Sequence, residues 1–426
     1  MREDLLHFVW KHRTLAAGGL YTTANTPLKI LHPGVHNEHS GPDFFNARLE
    51  IGEQTWAGNV EIHVKASDWY LHGHENDPGY DNVILHVVWE EDIQVLRQDR
   101  DPLPALELRR FIPEKMLRSY RRLMHAKLRK FINCERQIGK VEPFHITHWV
   151  ERLYFERLER KAIEVEELLK GTGNDWEQVF FRLLLRNFGL NVNGASFYAI
   201  GEVIPFSVIR KLWPDQQKLE SLLFGVAGFL EEKEVPDGYY QELRQEYHYL
   251  ARRFALPLKK LPGPEFLRLR PANFPTIRLS QFAGLYAKHQ NLFGRAINAD
   301  TLEDLYALFS ASAGNYWDTH YTFGHPGGKG KKILSRGFVD LLVINTVIPI
   351  RYCFARHQGQ QNNSHLVQLL SGIPPERNQI INRFAGLQLP CSNVMETQGL
   401  LQLYREYCSR NRCLYCTVGS RILSGK

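Results

Sequence analysis

The sequence lacks any uninterrupted run of about 18 apolar residues, the length a helix needs to cross the hydrocarbon core of a bilayer. No membrane span and no membrane partner are therefore expected. The opening stretch "MREDLLHFVWKHRTL" mixes acids with bases and has no continuous apolar core, so it does not read as a secretory signal. A cytoplasmic location is the resulting expectation. Cysteine is scarce, at 6 in 426 residues, and structural disulfides are not expected in that compartment. The glycine-rich "GHPGGKGKK" lacks the spacing of a phosphate-binding loop and follows no strand, which argues against a nucleotide site of that type. No internal repeat is present.

What remains is folded material, 43% hydrophobic and 12% aromatic, with length for two or three domains. Net charge is +7, which suits a polyanionic partner such as nucleic acid. The bases are concentrated in "RSYRRLMHAKLRKF", where Arg118, Arg121, Arg122, Lys127, Arg129 and Lys130 appear without one acid. Leu117, Met124, Leu128 and Phe131 give this stretch an apolar stripe at helical spacing. It reads either as a solvated helix face or as a surface that tracks phosphates and releases their counterions.

Periodicity changes along the chain. Residues 1–15 read as a helix with Glu3 and Asp4 in its first turn. Strand-like stretches follow at 28–32, 44–52, 55–65 and 82–92, punctuated by Gly, Pro, Asn and Asp. From about residue 113 the pattern is helical, with a long amphipathic helix over 146–170 and shorter ones predicted at 175–188, 194–202, 206–212, 216–231, 237–254, 276–289 and 300–309. The expected class is α+β, with an α/β core and mixed sheet over 1–112, a helical domain with the basic helix over 113–260, and a helical C-terminal domain with a cysteine cluster over 261–426.

Two constellations carry chemistry. In "NVEIHVK" the alternation puts Glu61, His63 and Lys65 on one face of a strand and Val60, Ile62 and Val64 on the other. The plain interpretation of the polar face is solvation. Asp43 stands 18 residues earlier at the start of the preceding strand, so an antiparallel pairing brings Asp43 and Glu61 within reach of one Mg²⁺ or Mn²⁺ ion. A water acidified by that metal attacks a phosphodiester, with His63 or Lys65 orienting it or stabilising the developing charge. The alternative reading uses a local crowd of histidines: His63, "HGH" at His72 and His74, and Glu61 as base, in a zinc hydrolase. A third keeps the chain as a non-enzymatic nucleic-acid-binding or scaffold protein.

The second constellation is "CSRNRCLYC", with Cys408, Cys413 and Cys416, to which Cys391 adds a fourth thiol. Clustered thiols in a cytoplasmic chain point to a metal, zinc or a 4Fe–4S cluster, and spacing does not choose between them.

The order of a helix with an acid, strands carrying "GPDF" and "VEIHVK", a helix and a further strand resembles the PD-(D/E)XK nuclease superfamily over roughly residues 1–92. That resemblance implies a restriction-endonuclease-like core, metal-dependent phosphodiester hydrolysis, catalytic roles for Asp43, Glu61 and His63 or Lys65, and Glu3 or Asp4 as a helix acid. One departure stands out: the superfamily pattern puts lysine where this chain has His63. Over nearly its full length the chain also resembles a bacterial domain-of-unknown-function family (DUF2851-like), through "GPDFFNARLEI", "VEIHVKASDWYLHGH", "YDNVILHVV" and "RPANFPTIRLSQ".

Overall fold

The computed structural model describes all residues except 17, 125–130, 233–234, 258–260, 361–362 and 426. The chain is α+β, a mixed sheet followed by a large helical region. It divides into two compact units instead of three consecutive domains. The first comprises Met1–Glu151, Asn378–Pro390 and Leu400–Lys426; the second comprises Arg152–Arg377 and Cys391–Gly399. The expected boundaries near residues 112 and 260 do not coincide with this division. The physical reason is a return of the chain: the C-terminal helix Thr417–Ser424 packs on Glu114–Met124 within the first unit, a long-range contact with no signal in local periodicity.

In the first unit, helix α1 (Glu3–His12) is amphipathic and buries Leu5, Leu6, Phe8, Val9 and Trp10. Seven strands follow: β1 (Leu20–Tyr21), β2 (Pro27–His32), β3 (Val35–His36), β4 (Phe44–Ile51), β5 (Gln54–Lys65), β6 (Val83–Glu90) and β7 (Ala105–Glu107). The main path runs β1-β2-β4-β5-β6-β7, with β3 paired to β4. Strands β4 and β5 form an antiparallel hairpin closed at Gly52, whose φ of 62° suits a residue without a Cβ. A bulge lies between Phe44 and Ala47, where Asn46 takes a φ of 57°. Strands β5, β6 and β7 are parallel, so β5 reaches β6 by a crossover. That crossover contains the short helix α2 (Asp68–Leu71) and two 3₁₀ turns, His74–Asn76 and Pro78–Tyr80.

The β5–β6 register depends on close backbone approach at Gly58. A Cβ there would meet Ile84 Cγ2 at 2.4 Å and the Asn82 carbonyl oxygen at 2.6 Å. Gly58→Ala is expected to cost about 1–3 kcal/mol through overpacking, read as a lowered urea midpoint with unchanged slope.

Helix α3 (Glu114–Met124) carries Arg118, Arg121 and Arg122 on its exposed face. Its buried stripe is Met116, Tyr120 and Leu123, one position away from the expected Leu117 and Met124, because the helix starts at Glu114 and packs through Tyr120, whose hydroxyl donates to Asp4 Oδ1 at 3.2 Å. Arg118 is paired with Glu114 at 3.2 Å. Lys127, Arg129 and Lys130 lie outside the described residues.

The second unit is built on one apolar core shared by helices α4 (Pro143–Gly171, within which the unit boundary falls), α5 (Trp176–Phe188), α6 (Leu190–Val203), α7 (Phe206–Leu212), α8 (Gln216–Val226), α9 (Gly238–Arg253) and α10 (Pro275–Lys288), with the later helices added to it. Among the described residues, Arg336–His357 is the one continuous helix long and apolar enough to cross a membrane, and 67% of its most apolar window is buried inside the protein. The pair α6 and α7 passes the same test only if counted as one span, although the two are bent by 80°.

Candidate metal centre

Register explains why Asp43 and Glu61 meet. Phe44 pairs with Val60 across the hairpin, so the residue before β4 lies beside the residue after Val60. The Asp43 amide donates to Glu61 Oε2 at 3.0 Å, and the Ile62 amide donates to Asp43 Oδ2 at 2.9 Å. The Glu61 side chain is thereby held by the Asp43 backbone, and the Asp43 side chain by the amide of Ile62.

Helix α1 adds Glu3 and His7, two side chains that could ligate a metal and lie one turn apart on one face. His7 Nε2 is 3.5 Å from Glu3 Oε1 and 3.3 Å from Asp43 Oδ2. Glu3, His7 and Asp43 offer three donor atoms within 4.8 Å of one another. Asp4, the other candidate helix acid, is turned away to Arg2 and Tyr120. His7 was not singled out in the sequence, although its i,i+4 relation to Glu3 was there to be seen.

The polar face of β5 is not solvated at Glu61 and His63, although it is at Lys65. Glu61 is 5% exposed and His63 is 1% exposed, because the crossover roofs them with Trp69, His74 and Tyr80. His63, His72 and His74 form a second set of donors within 4.8 Å of one another, graded from buried His63 to exposed His72. His63 Nε2 lies 3.1 Å from His72 Nδ1, and Glu61 Oε1 lies 3.5 Å from His63 Nε2 and 3.4 Å from His74 Nε2. Tetrahedral ligands at about 2.0–2.1 Å from a metal stand about 3.3–3.4 Å apart, so these separations suit one ion. Behind them His86, fully buried and paired with Glu61 in the β5–β6 register, places Nε2 2.8 Å from His63 Nδ1. It occupies the place of an outer partner that fixes a ligand's tautomer.

Glu61 thus sits between two donor sets, its Oε1 facing the histidines and its Oε2 held by the Asp43 amide. Lys65 is exposed; its amide donates to Asp68 Oδ2, and no recorded contact brings its ammonium to Glu61. Among the described residues three buried imidazole atoms, His7 Nε2, His74 Nε2 and His86 Nδ1, have no hydrogen-bond partner, although the first two lie beside carboxylates. An orphaned buried nitrogen is costly unless something else satisfies it, and a cation bound by both sets would.

The family model described as "Protein of unknown function (DUF2851)" matches residues 3–379. The chain belongs to that family. No curated protein and no solved structure matches it.

Protonation in this DUF2851 chain follows burial. Burial, with the nearby Asp43 charge, pushes the Glu61 carboxyl up to about 9. Burial and the neighbouring imidazoles of His86, His74 and His72 press His63 down to about 3, and burial with His74 does the same to His86. Burial lowers His7, but the adjacent carboxylates of Asp43 and Glu3 outweigh it and carry the imidazole up to about 9. Neutral His63 and His86 suit metal ligation, and Glu61 and His7 hold protons that a divalent cation would replace.

The sign of the pH effect follows. A raised folded pKa stabilises below the unfolded value and is lost as pH climbs: from 4.5 to about 9 for Glu61, and from 6.5 to about 9 for His7. The depressed values of His63 and His86 stabilise above 6.5 and are lost as pH falls toward 3. Without metal, the contribution of these groups therefore declines on the alkaline side. Saturating Mn²⁺ is expected to raise the melting temperature by about 2–5 °C more near pH 8.5 than near pH 6.5, measured by scanning fluorimetry. An equal increment at both values would contradict the proton exchange.

A cleft of about 250 Å³ opens beside His74, lined by Trp69, Tyr80, Arg97, Asp99 and Leu103 among others. It provides a solvent route to the histidine set.

Of the C-terminal cysteines, Cys408, Cys413 and Cys416 line one small cavity together with Cys134. Cys391 does not line it and belongs to the second unit, so its nearness in sequence was misleading.

Proposed function

We propose that this protein is a divalent-metal-dependent phosphodiesterase acting on nucleic acid, with its active centre in the first unit. The observation that carries the proposal is the convergence of Glu3, His7, Asp43 and Glu61 from α1, β4 and β5, backed by His63, His72 and His74. The order of helix, antiparallel strands with Asp and Glu-x-His, crossover and parallel strand supports the nuclease-like reading, as do the net charge of +7 and the exposed Arg118, Arg121 and Arg122. Mn²⁺ suits such mixed carboxylate and imidazole donors better than Mg²⁺, which favours all-oxygen shells.

A bound cation would polarise the phosphoryl oxygen and acidify a water. The chain's own residues do the rest. Asp43 and Glu61 hold their carboxyl groups at fixed positions, each clamped by a backbone amide, and Glu61 would give up its proton to a bound cation. His63, neutral and hydrogen-bonded between His86 and His72, passes a proton along a short imidazole chain where the superfamily pattern has a lysine. Arg97 in the adjoining cleft offers a cation to a phosphate.

The test is cleavage of labelled single- and double-stranded DNA and RNA by the purified full chain with Mn²⁺, Mg²⁺ or Zn²⁺. Metal-dependent cleavage abolished by chelation is expected; no hydrolysis of any polymer with any of the three would sink the proposal. A second reading, zinc hydrolysis of a small substrate by His63, His72, His74 and Glu61, is favoured by the tetrahedral spacing of those atoms. Stoichiometric zinc lost in His72→Ala, with ester but no polymer hydrolysis, would select it.

A further inference from the structure

Cys134, Cys408, Cys413 and Cys416 come from three places in the chain: the loop after α3, the end of the helical turn Leu403–Cys408, and the 3₁₀ turn Cys413–Tyr415 with the residue after it. All four line one cavity with Leu123 and Tyr407. None of the four is in a disulfide, and Cys134, Cys413 and Cys416 are buried. Thiols of ordinary core type would be spread among apolar neighbours; these four line a single cavity.

The surroundings are built for sulfur that carries charge. Asn133 Nδ2 donates to Cys413 Sγ at 3.5 Å. Cys416 is the N-cap of Thr417–Ser424, so its sulfur sits at the positive end of a helix dipole. Gly419 is what lets that helix close on the cysteine turn, since a Cβ there would stand 2.0 Å from the Cys413 carbonyl oxygen. Burial and the neighbouring sulfurs push the Cys134 and Cys408 thiols well up, so thiolates form there only against a positive centre.

Spacing then chooses the centre. Tetrahedral zinc with bonds of about 2.3 Å draws its thiolates to about 3.8 Å from one another. Among the described residues the sets whose donors lie within 4.8 Å of one another are the two of the metal centre above, and no three of these sulfurs form such a set. A polynuclear cluster holds its thiolates further apart, because several irons and inorganic sulfides lie between them.

We propose that Cys134, Cys408, Cys413 and Cys416 are the four ligands of an iron–sulfur cluster that staples the C-terminal segment to the loop after α3. The inference does not depend on the hydrolytic reading. The test is anaerobic purification of the full chain, followed by iron, sulfide and zinc analysis and visible absorption. The wild type is expected to contain about four irons and four sulfides per chain, with the broad visible band of a cluster. Cys134→Ser and Cys408→Ser, each lacking one of four ligands, are expected to hold about tenfold less iron, whereas Cys391→Ser keeps the wild-type content. If Cys134→Ser does not fold, wild-type metal content and the Cys391→Ser variant still decide the matter. Stoichiometric zinc in place of iron, no metal after reconstitution, or iron lost from Cys391→Ser would each overturn the assignment.

Discussion

Asp43→Asn is expected to lower metal-dependent phosphodiester cleavage by about 10³-fold or more while leaving the first unit folded. The substitution is nearly isosteric. Its side-chain oxygen can still accept the Ile62 amide that Asp43 Oδ2 accepts at 2.9 Å, so the hairpin keeps its anchor. What disappears is a charge 3.3 Å from His7 Nε2, in a place only partly open to the solvent that would screen its loss. Cation affinity and the charge that aligns the reacting water fall together, so the defect should appear in turnover at saturating metal as well as in metal titrations. Glu61→Gln is expected to behave alike. Lys65→Ala is the control, expected to stay within about threefold of wild type because its exposed ammonium is not seen to reach the centre. A Lys65 variant as inactive as the Asp43 variant, or a fully active Asp43→Asn, would remove the basis of the mechanism.

The strands and most helices were legible because their causes are local. Alternation over 44–52 and 55–65 marks a hairpin, and observed strands Phe44–Ile51 and Gln54–Lys65 follow it closely. The meeting of Asp43 with Glu61 was legible for the same reason, since a short turn fixes register. Three things were not. The polar face of β5 reads as solvated when only β5 is considered; its burial comes from the crossover, whose Trp69 and Tyr80 close over it. The sequence shows a cysteine trio and a nearby Cys391, but the fourth member of the cavity is Cys134, brought in by a chain return of nearly three hundred positions that no periodicity encodes. The observed stripe of α3 lies one position from the expected one because the helix packs through Met116, Tyr120 and Leu123. In each case the missing information was tertiary: which element covers which.

Glu220→Ala is expected to destabilise the second unit by about 3–5 kcal/mol without touching hydrolysis by the first. Glu220, on α8, is 0% exposed, yet its carboxylate is surrounded by donors. Ser280 Oγ donates to it at 2.6 Å, Gln216 Nε2 at 3.1 Å and Trp317 Nε1 at 3.2 Å, and the Tyr239 hydroxyl also donates. Ser280 Oγ in turn accepts the Gly314 amide at 2.9 Å, so the network ties α8, α9 and α10 to the segment before Trp317. Burial raises the carboxyl's pKa, and the four donors act against that rise. Alanine removes the one acceptor they share, leaving buried N–H and O–H groups unsatisfied beside a new void; each such loss costs about 1–3 kcal/mol before relaxation, and relaxation toward water or other acceptors returns part of it. Glutamine keeps the volume and one acceptor but turns an N–H₂ toward groups that are themselves donors, so an intermediate loss of about 1–3 kcal/mol is expected. Urea unfolding followed by circular dichroism measures both. If alanine cost less than about 1 kcal/mol, the donors would be finding other partners, and the carboxylate would not be the node that holds these helices in register.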